Sequence, residues 1–160
     1  MSPLTAGTVY TGIVTQSGSM TDGRYRYDAI QACTLTVKSF DNCTVVCEIK
    51  RVENQKFIDG HSIPLPAWPE YLIKYLTTWG NAVERAIGTY DPCTGLLLLQ
   101  GEEPVVTVDS WVQWSRHAYA LLVDEKGIKG LAFDLEEGAN RVSEVGRLRV
   151  VKNDGSTPRC

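Results

Sequence analysis

From Tyr27 to Ser39 the chain repeats with a period of two, Ala29, Gln31, Cys33, Leu35 and Val37 sharing one parity. That spacing predicts a strand with one face turned to a core. Asp41-Asn42 then marks a turn, and the chain returns as a second strand from Cys43 to Val52. Cys43, Val45, Cys47 and Ile49 fall on one of its faces, and Thr44, Val46 and Glu48 on the other. A second hairpin is predicted from Val83 to Tyr90 and back from Leu96 to Gln100, around Asp91-Pro92-Cys93-Thr94-Gly95. A third joins His117–Val123 to Ile128–Leu135 through Asp124-Glu125-Lys126-Gly127, with Gly127 offered for a positive φ. Thr8 to Gln16 reads as a first strand stopped by Ser17-Gly18-Ser19. Gly146 to Lys152 reads as a last one, with Leu148 and Val150 facing one way and Arg147, Arg149 and Val151 the other.

One segment breaks the alternation. Pro64-Leu65-Pro66-Ala67-Trp68-Pro69 cannot supply a ladder of hydrogen bonds, and Pro69 suits a first helical position. Leu72, Tyr75, Leu76 and Trp79 follow at helical spacing and Gly80-Asn81 suits a stop, so one short helix is predicted over Pro69–Trp79. A weaker pattern suggests another over Glu136–Glu144.

About eight short strands joined by local hairpins predict an all-β, antiparallel up-and-down meander, which removes its exposed edges by closing into a barrel. In this architecture the chain resembles the calycin-like barrels over most of its length. At the place of the Gly-x-Trp signature of lipocalins it carries Thr11-Gly12-Ile13. A closed barrel of eight strands is wide enough to fill with side chains or to hold one small ligand. With 160 residues and no internal linker, one domain is expected over residues 1–152, followed by a polar tail, 153–160.

Composition agrees. Val, Ile and Thr make up about a quarter of the chain, a mix that favours strands. A net charge of -3 argues against an electrostatic reader of nucleic acid. The first residues carry no basic start followed by an apolar run and no stretch is long enough to span a membrane, so a cytoplasmic protein is expected. Cys33, Cys43, Cys47, Cys93 and Cys160 are odd in number and form no Cys-x-x-Cys pair, so the first four are expected as free thiols. With only two histidines, far apart in sequence, no metal site is expected, and no motif calls for a cofactor.

Gly-x-Ser-x-Gly, His-Glu-x-x-His, Gly-x-Gly-x-x-Gly and P-loop patterns are all missing, which removes the common hydrolase, zincin and nucleotide-binding readings. His61, after Asp59-Gly60, and His117, beside Arg116 and Tyr119, are the candidates for acid or base chemistry. Large aromatics offer lining for a pocket: Trp68, Tyr71, Tyr75 and Trp79 around the predicted helix, and Trp111 and Trp114 before His117. Glu48, Asp109 and Asp134 lie on or near strands, where an inward carboxyl would have a raised pKa. Leu96-Leu97-Leu98-Leu99 is apolar on both faces, so the predicted helix or a second subunit is expected over its outside. These features favour a barrel that binds a small, largely apolar molecule. A cofactor-independent cyclase or isomerase working in the same cavity is the second reading, because positioning alone leaves no motif. A structural or adaptor module that uses the Leu96–Leu99 strand or the Trp68–Trp79 helix as its contact surface is the third, and a second copy of the chain, in a homodimer, is a candidate partner.

Overall fold

The computed structural model describes residues 4–20, 25–58, 81–102, 105–107, 113–138 and 142–153. All its regular structure is β, in nine strands: β1 (Val9–Met20), β2 (Tyr25–Asp41), β3 (Thr44–Ile58), β4 (Asn81–Tyr90), β5 (Leu96–Gly101), β6 (Val105–Thr107), β7 (Gln113–Val123), β8 (Gly127–Gly138) and β9 (Val142–Asn153). Consecutive strands pair with one another except β5 and β6, β9 returns to β1, and β5 and β6 both pair with β7, so the sheet closes. The short β6 continues the line of β5 along β7, pairing Val105–Thr107 with Ser115–Gln113. The result is the closed, eight-stranded, up-and-down antiparallel barrel that the alternation predicts.

The turn residues act largely as their chemistry dictates. Asn42 and Cys43 take positive φ, 47° and 68°, making a two-residue hairpin loop whose twist matches the strands. Cys43 therefore sits exposed in the turn rather than opening β3, and the inward series starts at Val45. Asp91 accepts hydrogen bonds from the Cys93 backbone N–H and the Thr94 hydroxyl, and Asp124 accepts from the Lys126 and Gly127 N–H groups. It is Gly95, with φ 80°, and not Gly127 that takes a positive φ at these two reversals.

Two further expectations are corrected. Ser17-Gly18-Ser19 does not stop the first strand, because β2 and β9 flank β1 as far as Met20 and hold every residue in register. Glu136–Glu144 is not a helix: β8 runs to Gly138 and β9 begins at Val142. The helix predicted over Pro69–Trp79 and the tail from 154 lie outside the described residues, among which none is helical.

The inward faces fill the barrel from the end that carries the turns at Asn42, Cys93 and Lys126. Tyr10, Val14, Leu35, Val37, Val45, Cys47, Ile49, Leu97, Leu121 and Val150 form one buried cluster there, closed from below by Leu4. Phe40 packs edge-on against Tyr90, ring centroids 5.4 Å apart. All four described cysteines are free thiols, Cys33 and Cys47 buried, Cys43 and Cys93 exposed.

Candidate functional site

Moving up the barrel from that cluster, the inward series changes character on several strands at one level. Tyr10 and Val14 lead to Gln16 on β1. Val45, Cys47 and Ile49 lead to Arg51 on β3; Tyr90 and Ala86 lead to Glu84 on β4; Val123, Leu121 and Tyr119 lead to His117 on β7. Gln31 joins them from β2. Arg51, Glu84 and His117 are 2%, 7% and 1% exposed, so a cation, a carboxylate and an imidazole lie out of water together.

These groups form one hydrogen-bonded cluster. Both Glu84 carboxylate oxygens lie 3.0 Å from His117 Nδ1, and the Tyr119 hydroxyl donates to Oε1. Arg51 Nη2 lies 2.5 Å from His117 Nε2 and 2.9 Å from Nδ1. A guanidinium has no acceptor atom and a carboxylate no donor, so Arg51 can only donate toward the ring and Glu84 can only accept from His117 Nδ1–H. Arg51 Nη1 also points at Gln16 Oε1, 3.4 Å away.

Burial pushes the Glu84 carboxyl up, but the hydrogen bond and charge of His117, the Arg51 charge and the Tyr119 hydroxyl outweigh it and hold the group below the ordinary glutamate value. Burial drives the Tyr119 phenol well above its usual value against the pull of Arg51, and the Glu84 charge adds to the rise. Cys33, opposite Arg51 across β2 and β3, is pushed up to about 11 by burial and stays a thiol near neutrality. The backbone makes room for the group. A Cβ on Gly101 would stand 3.1 Å from Glu84 Oε2, and a bulge opposite Ile30/Gln31 breaks the β2–β3 register two residues above Arg51.

Of the residues singled out by sequence, His117 lies at the centre of this cluster with Tyr119 beside it. Trp114 belongs to β7, paired with Val106 and Glu137, though its side chain is outside the described set. His61, Trp68, Tyr71, Tyr75, Trp79, Trp111 and Asp109 lie outside the described residues altogether. Glu48 turns outward toward Lys38, 3.9 Å away, and so is not an interior carboxyl. Asp134 pairs with His117 through the backbone. Arg51 and Glu84 were missed, although a signal existed: each continues by two the parity of an apolar inward series. Among the described residues no group of three His, Cys, Asp or Glu side chains is placed to hold a metal ion, and no helix is long and apolar enough to cross a membrane.

Compared with family models, curated proteins and solved structures, the chain matches none.

Proposed function

We propose that the barrel binds a small, largely apolar molecule in its upper half, with the molecule's polar group resting on the Arg51–His117–Glu84–Tyr119 layer. The observation that carries this reading is the position of the layer, a polar floor with barrel wall continuing above it. β1 runs four residues beyond Gln16 and β7 begins four residues before His117. Four residues of strand at ~3.3 Å each are ~13 Å of wall. At a strand tilt of ~40° that is about 10 Å of height around a space wide enough for one small ligand. A barrel that needed only to fill its core has little use for such a floor, because replacing a buried ion pair by packed apolar side chains is often neutral or stabilising.

The hydrogen-bonded chain from Tyr119 through Glu84 to His117 favours a second reading, a cofactor-independent isomerase or cyclase. A bound molecule that took the place of Arg51 at His117 Nε2 would meet an imidazole backed by a carboxylate, an arrangement suited to moving one proton. Native mass spectrometry of the purified protein, followed by release and identification of what it carries, tests the first reading. The expected result is a stoichiometric small molecule, held more weakly by Tyr119→Phe, which removes one hydroxyl and leaves the ring. A protein that copurifies empty and binds no member of a panel of amphipathic probes would refute it. Conversion of the identified molecule into an isomer, slowed at least about tenfold by His117→Gln, would decide for the enzyme.

A further inference from the structure

The outer wall is not uniform. On β1 and β2 the outward positions include Thr11, Thr15, Thr34 and Thr36, as a water-facing wall should. Exposed apolar side chains also occur on other strands, Ile13 on β1, Val83 on β4 and Val145 and Val151 on β9, but on β5, β7 and β8 four leucines stand together: Leu96, Leu98, Leu122 and Leu131 are 40%, 44%, 49% and 46% exposed. Register makes them contiguous. Leu98, Ala120 and Leu131 form one row across the three strands, and Leu96, Leu122 and Lys129 the next. Asp91 extends this second row on the other side, its N–H donating to the Leu96 carbonyl at 2.9 Å. The four leucines alone leave roughly 300 Å² of connected apolar surface, in the range of the largest patch on a typical monomer, which is often functional.

We infer that this face is the interface of a homodimer, two copies packed wall to wall about a two-fold axis running along the strands between β5 and β7. The pattern is self-complementary under that operation and does not depend on the reading of the interior. β5 of one copy then lies on β7 of the other, which seats each Leu98 over the partner's Ala120, large on small, and sets Leu96 against the partner's Leu122. One strand further out in the same row, β4 of one copy meets β8 of the other, so Asp91 meets the partner's Lys129, twice by symmetry. Asp91 is charged for this role, since hydrogen bonds from the Cys93 N–H and the Thr94 hydroxyl hold its carboxyl below the usual range. The outward Ile87, 40% exposed, and Thr89 of β4 border the face on the Asp91 side.

Light scattering after size exclusion, on the full chain from about 1 to about 100 µM, reads the association directly. The wild type is expected to dimerise within this range. Leu98→Glu is expected to raise the dissociation constant at least tenfold with an unchanged far-ultraviolet spectrum, because an exposed position tolerates the charge in the monomer. Lys129→Glu, which does not touch the apolar centre, should weaken the dimer most at low salt. Ile13→Glu, 44% exposed on β1 across the barrel from this face, should leave it intact. A wild type monomeric throughout, a Leu98→Glu protein that still dimerises, or dissociation by Ile13→Glu would each overturn the proposal. So would a monomer that sediments with anionic vesicles through the same leucines.

Discussion

Glu84 stands under opposed influences, and their balance gives the fold an acid limit. Its carboxyl is held below the ordinary value in the barrel, so it binds a proton more weakly folded than unfolded. Its contribution is whole above the unfolded value near about 4.3 and is lost as pH falls through the folded value. Glu84→Gln removes the charge that compensates Arg51 and should cost about 3 kcal/mol at neutral pH. The gap to wild type should narrow below about pH 4, where wild type loses the same charge. Urea melts across that range check this, and a gap that stays constant with pH would refute it. Arg51 and Glu84 were legible in the sequence only as parities. The alternation that assigned Val45, Cys47 and Ile49 to the core assigns Arg51 to it as well, but a charged residue at an inward position is read as a strand end unless a partner is known. Here that partner sits 33 residues away on β4, and no local pattern joins the two.

At the level of elements, the strands with the cleanest alternation were the most legible. The inward series of β2 and β3 from Ala29 to Val37 and from Val45 to Ile49 is buried as the pattern predicts. Boundaries were less so, since Ser17-Gly18-Ser19 has a turn-like composition and becomes strand only because β2 and β9 hold it from both sides. Pairing across the sheet overrides local propensity there. Close pairing also leaves some positions no room for a side chain: a Cβ built on Gly88 would lie 1.6 Å from the Leu98 carbonyl oxygen of the neighbouring strand. Gly88→Ala therefore has to push β4 and β5 apart and should cost about 2 to 3 kcal/mol. Thermal melts of the variant beside wild type test this, and an unchanged midpoint would show that the two strands separate freely.

For the whole molecule, the class and its closure followed from counting hairpins, whereas the polar floor depends on which strands face each other across the interior. Closure has a consequence in time. β1 is hydrogen-bonded to β9 from Val9↔Asn153 to Met20↔Val142, so the first strand to leave the ribosome must wait for the last. The other pairings span far less of the chain, at most the 22 residues between β3 and β4 and the 11 between β5 and β7, so a curved, open sheet can assemble first, with β1 and β9 as its raw edges. Joining them carries the loop entropy of nearly the entire chain. During refolding, protection of the β9-facing amides of Val9–Met20 should appear together with that of the β1-facing amides of Val142–Asn153, after the β2–β3 hairpin is protected. Pulse-labelled hydrogen exchange would register that order, and simultaneous protection of all strands would argue for a barrel that closes in one step.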